Sequence, residues 1–367
     1  MSNLSEIHYK IALNRIEGIG GAISRLLISH SGGVAEVFQL KKRDLLAING
    51  IGEQTANLIL NADVLELSDP ILALLDKHES VKLLFYTDSD YPQRLTHFDQ
   101  SPTLFYYDGS TDLNAHRTVS IIGTRNCNEY GILQCEKLVE GLHQYGVQII
   151  SGLAYGIDVT AHRKAVEFGI PNIAVLGSGI DVIYPSSHFS LSQRIKANGG
   201  LMSQFEFGTK PDRQNFPSRN QVVAAMSDAV VVVQSRKSGG SMITAHMASE
   251  MNKDVFAVPG RATDEVSKGC NTLIKRNRAH LITEAEDIAY IMGWEPKEKL
   301  EAQLKLFEEL DTHEREIVQI LQNYDTLDID SLHHQLSRPL SSLSSDLLTL
   351  EFKGLVKSLP GKRYTLI

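Results

Sequence analysis

Gln148-Ile149-Ile150-Ser151-Gly152-Leu153-Ala154-Tyr155-Gly156-Ile157-Asp158 is the stretch on which the fold turns. A short apolar run ends in a glycine-rich turn, and a segment of helical periodicity follows over 159–168. Such a turn places backbone N–H groups and a positive dipole end at a helix start, where an anion can be held. Read outward, the same alternation repeats. Apolar runs at 119–123, 148–152, 173–177, 201–205, 229–233 and 255–259 read as strands, with a seventh candidate at 280–282. Helical patterns lie between them at 129–145, 159–168 and 241–252. Most of the runs are almost continuously apolar, as strands covered on both faces require. The expected fold class is therefore α/β, with a central doubly wound, Rossmann-like parallel sheet over 118–294.

Ligands of such sheets bind beyond the carboxyl ends of the strands. Gly123-Thr124-Arg125 follows the first strand, where a glycine admits close approach and an arginine can fork onto a phosphate. The 151–158 turn follows the second, and Gly177-Ser178-Gly179 the third. Asn215-Phe216-Pro217-Ser218-Arg219-Asn220-Gln221 lies beyond the fourth, and Ser238-Gly239-Gly240-Ser241-Met242-Ile243-Thr244 beyond the fifth. A lone glycine after a strand is ordinarily only a turn. Five such ends on one sheet edge point to phosphate.

The usual small phosphate ligands fit poorly. No GxGxxG follows the first strand, and no acidic residue ends the second to hold a ribose, which argues against a dinucleotide. No Walker pattern is present. Nucleoside-monophosphate phosphoribohydrolases carry a Pro-Gly-Gly-x-Gly-Thr-x-x-Glu loop; Ser238–His246 lacks its third glycine and its glutamate, so the phosphate cradle survives without the catalytic acid. This enzyme class is the alternative reading. The three cysteines, Cys127, Cys135 and Cys270, have no metal-site spacing. No metal and no cofactor are expected.

The net charge of −8 argues against a nucleic-acid partner, yet 209–280 holds 11 Lys/Arg against 6 Asp/Glu. The basic residues gather where the glycines are. No apolar run approaches a membrane span, and the N-terminus has no secretory pattern, so a cytoplasmic protein without membrane contact is expected.

Two flanking regions complete the chain. Residues 1–70 contain Ile16-Glu17-Gly18-Ile19-Gly20-Gly21 and Ile48-Asn49-Gly50-Ile51-Gly52-Glu53, a paired helix-hairpin-helix of the SAM-like kind. Glu17 and Glu53 sit in or beside the turns, so DNA contact and scaffolding both stay open. Residues 71–117, with Asp90-Tyr91-Pro92 and Pro102, read as a connector. After the charged link at 295–299, residues 306–367 follow a winged-helix order: helices at 313–323, 330–336 and 339–353, then strands near 355–358 and 364–367. The third helix has no Arg or Lys in Ser341-Ser342-Leu343-Ser344-Ser345-Asp346 to face bases.

The five strand-end motifs, with Gly177-Ser178-Gly179-Ile180-Asp181-Val182-Ile183-Tyr184-Pro185 and Lys268-Gly269-Cys270-Asn271, resemble those of the DNA-processing protein A (DprA/Smf) family. The resemblance covers nearly the whole chain. It implies a non-enzymatic bacterial protein, a likeness that brings with it single-stranded DNA binding, RecA recombinase loading during natural transformation, and a homodimer. It also implies that Gly123 and Arg125, the loop of Ser151, Gly152, Ala154 and Gly156, and the helix start of Gly240 and Ser241 meet phosphates. By the same resemblance Arg219 and Asn220 meet phosphate or base edges, and Lys268 joins the electrostatic path. Phe216 or Tyr155 is expected to stack on a base. The chain departs from the family at Gln204, Gln221 and Gln234, where Glu, Arg and Glu are common. The lost arginine removes a phosphate contact, and the lost acids are expected to leave a less negative pocket.

Overall fold

The computed structural model describes residues 4–297, 310–322, 324, 326–353 and 355–366. The stretch 298–309, which holds part of the charged link and the expected start of the last domain at 306, lies outside the described residues. The chain divides into two compact units, 1–294 and 295–367.

In the first unit, six helices precede the sheet: α1 (Glu6–Arg15), α2 (Gly21–Ser31), α3 (Val34–Val37), α4 (Lys42–Ala47), α5 (Glu53–Leu60) and α6 (Val64–Lys77). Gly18 and Gly50 turn the two hairpins with φ of +81° and +95°, a conformation that glycine alone adopts freely. The two hairpins are not equivalent. The Gly21 backbone faces the Ser101 carbonyl so closely that a methyl group there would come within 2.2 Å of it. Arg25 donates to the Asp99 and Ser101 carbonyls, which seals the first hairpin against the chain that follows. Around Gly52 there is open space, and Glu53 at the start of α5 is paired with Lys42 at 2.6 Å.

The sheet has nine strands in the order β1-β2-β6-β5-β4-β3-β7-β8-β9. They are β1 (Val81–Phe85), β2 (Leu104–Gly109), β3 (Thr118–Gly123), β4 (Gln148–Ser151), β5 (Asn172–Val175), β6 (Gly199–Ser203), β7 (Ala229–Gln234), β8 (Asp254–Ala257) and β9 (His280–Leu281). From β6 to β9 all neighbours are parallel. The seven parallel strands fall where the sequence pattern places them, with ends moved by one or two residues. A short helix, α7 (Gln93–Thr96), lies between β1 and β2; between the parallel strands run α8 (Glu129–Leu142), α9 (Ile157–Glu167), α10 (Phe189–Ala197), α11 (Asn215–Ala225), α12 (Gly240–Glu250) and α13 (Lys268–Lys275), and α14 (Ala285–Met292) follows.

The region read as a connector is corrected here. Residues 81–85 and 104–109 form β1 and β2; β2 pairs with β6 and β1 with β2, both in antiparallel fashion, and so extend the sheet. The helix α6 also runs past residue 70, through Pro70 to Lys77. The apolar runs Leu83-Leu84-Phe85 and Leu104-Phe105-Tyr106-Tyr107 are too short for periodicity to separate strand from helix or loop. Tertiary pairing decides them.

Alternate strand residues build two different cores. Val119, Ile121, Ile149, Val231 and Val233 face α8, α9 and α14, while Ile122, Ile150, Ile173, Val230 and Val232 face α11, α12 and α13. Sheet residues Phe85, Leu104, Tyr106 and Leu201 share a third cluster with Leu13, Leu27 and Ile59 of the helical hairpins.

The second unit comprises α15 (Thr312–Leu321), α16 (Ile329–Leu336) and α17 (Leu340–Phe352), with strands β10 (Leu327–Asp328), β11 (Val356–Leu359) and β12 (Arg363–Leu366) in the order β10-β12-β11. This is the expected winged-helix order, with β10 added. Buried Glu314 is paired with Lys353 at 2.7 Å and closes the capping box of α15. Among the described residues, no helix is long and apolar enough to cross a membrane.

Candidate phosphate-binding cleft

Strand order reverses between β3 and β7: β4, β5 and β6 extend from one side of β3, and β8 and β9 continue from β7. The loops after β3 and β7 therefore diverge and leave a crevice at the carboxyl edge. A cleft of about 280 Å³ lies there, lined by Gly123, Arg125, Ala154, Asp158, Arg219 and Arg236 among others. Phe216, Asn220, Gly240 and Ser241 also line it. Eight of the twelve expected site residues thus converge on one cleft: Gly123, Arg125, Ala154, Phe216, Arg219, Asn220, Gly240 and Ser241.

Arg125 is exposed and lies over the Phe216 ring at 4.9 Å from its centroid. That stacking fixes the guanidinium while leaving its edge donors free for a phosphate. Opposite, the first amides of α12 at Gly240 and Ser241 have no acceptor earlier in the helix, so they point into the cleft with the positive dipole end. The Ser241 hydroxyl is tied to Ser235 at 2.8 Å, which anchors this helix start to the end of β7.

Arg219 differs from Arg125. It is 4% exposed, donates through Nη1 to the Val175 carbonyl at 3.1 Å, and also borders the Phe216 ring at 5.7 Å. Burial pushes its pKa down, and buried Asp158 offsets that penalty. Asp158 in turn is pushed up by burial, held back by Arg219 and by hydrogen bonds from the Ala154 and Gly152 backbones. One carboxylate thus faces three arginines, which leaves the cleft positive.

Four expected contacts have other tasks. Ser151 donates to the Ile121 carbonyl at 2.6 Å and ties β4 to β3 away from the cleft. Gly152 gives room to the Arg219 guanidinium, since a methyl group there would lie 1.5 Å from Nη1. Its amide serves Asp158 instead of a ligand. Gly156, at φ +77°, gives room to the Thr124 and Arg125 backbone. Lys268 is paired with Glu265 and does not line the cleft. At the next position, the Gly269 amide donates to the Ser235 carbonyl at 2.8 Å, so the start of α13 buttresses the loop after β7.

The glutamines that mark this chain are also placed. Gln234 is fully buried, donates to Asn128 at 2.9 Å and accepts the Asn128 amide, so it holds the start of α8. Gln204 donates to Ser218 at 2.8 Å and ties β6 to α11. Neither lines the cleft, so the expected change in pocket charge gives way to a scaffolding role. The sequence reading passed over Arg236 and Asp158 as site residues. Arg236 directly follows Gln234-Ser235 at the end of β7, a position that could have marked it.

A narrow recess adjoins the cleft beyond Phe216, bordered by Gly152, Tyr155, Gly177, Tyr184 and Pro185. Tyr155 is 49% exposed and Tyr184 45%. Tyr155 is held edge-on against buried His188 at 5.1 Å, and His188 bonds the Leu153 carbonyl. Phe216, by contrast, has its ring occupied by Arg125, so Tyr155 is the more accessible ring of the two expected to stack.

Beneath this edge His162 is buried, 2.8 Å from the Asn172 side chain. Burial pushes its pKa from 6.5 down to about 4. A depressed pKa means that the neutral ring contributes stability fully above 6.5 and loses it as pH falls toward about 4. Over that window we expect a loss of about 3 kcal/mol, and His162→Gln should flatten it in thermal melts run across pH.

In the winged-helix unit, the exposed face of α17 carries Leu340, Leu348 and Phe352 and no Lys or Arg. Arg338, just before it, is paired with Asp346.

A doubly wound sheet with a switch-point crevice built from arginines, glycine turns and an open helix start places the chain in the Rossmann-like class. Sequence comparison narrows the class. The profile of DNA recombination-mediator protein A matches residues 82–293, and the DprA winged-helix profile matches 303–362. The DNA processing protein DprA of Streptococcus pneumoniae is 32% identical over 69% of this chain and 96% of its own length. Protein Smf of Synechocystis is 29% identical over 98% of both chains. The X-ray structure of the pneumococcal protein superposes with a TM-score of 0.68 at 30% identity, covering 78% of this chain and 98% of that one. A Helicobacter pylori DNA processing protein A, solved to describe its single-stranded DNA binding mode, gives a TM-score of 0.54 at 28% identity, over 59% of this chain and 97% of that one. The chain belongs to the DprA/Smf family of DNA recombination-mediator proteins.

Proposed function

We propose that this chain is a DNA-processing protein that binds single-stranded DNA along the carboxyl edge of its sheet. The observation that carries the reading is the exposed guanidinium of Arg125 facing the open start of α12 across the switch-point cleft. Backbone phosphates occupy the cleft, and bases rest on Tyr155 and Tyr184 at the recess. Backbone donors and arginines outnumber groups able to read base edges, so sequence preference is weak. The Helicobacter pylori relative, with its single-stranded DNA binding mode, supports the same ligand.

The protein acts without catalysis in this reading, protecting incoming DNA in natural transformation and loading RecA onto it as a homodimer in the cytoplasm. A mobility-shift comparison tests the first step. Single strands should be retained more tightly than duplex of equal length, with affinity falling steeply as salt rises. Nucleoside monophosphates incubated with the protein should release no base. Equal retention of duplex, or base release abolished by Arg125→Ala, would replace this reading with another. Adding RecA to the retained complex should raise strand-exchange yield, which tests the loading step separately.

A further inference from the structure

On the other side of α12 from the cleft lies a larger cavity of about 940 Å³, lined by Lys237, His246, Lys275, Arg276 and Arg278 over a floor of Met242 and Leu273. The four Lys and Arg side chains are exposed, and among the described residues none of them forms an ion pair. Among the described residues, Glu250 is the one carboxylate in the lining. Four cations drawn together in one concavity, offset only by Glu250 in the lining and by Glu265 near Lys237, repel each other and gain from an anionic occupant.

Two features join this cavity to the cleft. The helix α12 is a shared wall: Ser241 and Thr244 face the cleft, while Met242, His246 and Ser249 face the cavity. The loop after β7 is a shared rim, on which Arg236 and Ser238 line the cleft and Lys237, between them, lines the cavity. A chain leaving the cleft over this loop therefore enters the cavity directly. Among the described residues, no Phe, Tyr or Trp lines the cavity, so it offers charge without a stacking surface. That chemistry suits a phosphodiester backbone and is indifferent to the bases.

We propose that this cavity is a second phosphodiester-binding groove, taking the segment of the same DNA strand that leaves the cleft over the 236–240 loop. The inference rests on the reading of the cleft as a single-stranded DNA site. It divides the bound strand into a stretch gripped by arginines and helix amides and a stretch held by diffuse charge.

The test uses the full chain carrying Lys275→Ala, Arg276→Ala and Arg278→Ala, all at exposed positions, so that folding is retained. Binding is measured with a short oligonucleotide of about 6 nucleotides and a long one of about 30. The triple variant should bind the short one as the unaltered chain does and bind the long one about 10-fold more weakly. The slope of log affinity against log salt for the long one should fall in magnitude by about 2, from three lost contacts. Unchanged affinity and slope for the long oligonucleotide would overturn the proposal, as would an equal loss at both lengths. So would normal DNA binding combined with lost retention on a polyglutamate resin, which would make the cavity a site for acidic peptides. Arg125→Ala serves as the control for the cleft. If it leaves short-oligonucleotide binding intact, the reading of the cleft fails; if it removes that binding while the triple variant changes nothing, only the second groove fails.

Discussion

Gly156→Ala is expected to lower the melting temperature by roughly 5–15 °C and to remove most DNA affinity. Gly156 sits at φ +77° and ψ −123°, a region that side chains rarely enter. A methyl group there would lie 2.2 Å from the Thr124 carbonyl oxygen and 2.7 Å from the Arg125 carbonyl carbon. Both obstacles are backbone, so no rotamer change relieves them. Strain of about 1–3 kcal/mol and overpacking of similar size combine at one residue. The relief available is to push the β3 loop outward, and that loop carries Arg125. Stability and binding should therefore fall together, in thermal melts and in mobility shifts. A variant that melts and binds as the parent does would mean that the two loops are not braced through this glycine.

Arg125→Ala separates the two effects. The side chain is exposed and stacks on the Phe216 ring, so the melting temperature should move by less than about 2 °C. A charge-assisted bond to phosphate is worth about 1.5–3 kcal/mol, which corresponds to roughly a 10- to 100-fold loss of affinity for single strands. The salt slope should drop by about 0.7. Arg125→Lys keeps the charge without the fork and should recover part of the affinity. Titration of labelled oligonucleotide at several salt concentrations reads all three values. Full affinity in Arg125→Ala would place the phosphates elsewhere.

The sheet and the helical hairpins were legible because their signals are local. Apolar runs such as Ala229–Gln234 are strands wherever they sit, and Gly18 and Gly50 announce turns by themselves. The antiparallel pair at the sheet edge was not, because such short apolar runs acquire a strand identity only from β6 beside β2 and from each other. The cleft was legible as a set of residue types, yet roles within it were not. Arg125 and Arg219 look alike in sequence, and only packing makes one an exposed hook and the other a buried brace. The turn at 151–156 likewise promised donors to a ligand, whereas the fold gives two of its amides to Asp158. Sequence pattern identifies which chemistry gathers at an edge; burial decides which groups remain free to use it.

The core shared by the helical hairpins and the sheet has a consequence for how the protein comes apart. Leu13, Leu27 and Ile59 pack in one cluster with Phe85, Tyr106 and Leu201, so neither part keeps a closed interior alone. Residues 1–70 are thus not a detachable module, although their sequence reads as one. Calorimetry of a chain ending at 294 should give a single cooperative transition instead of two, and a chain starting at 71 should expose apolar surface and bind a hydrophobic dye. Whatever the hairpins do at their open end, they are obliged to do it in a fixed register with the carboxyl edge of the sheet.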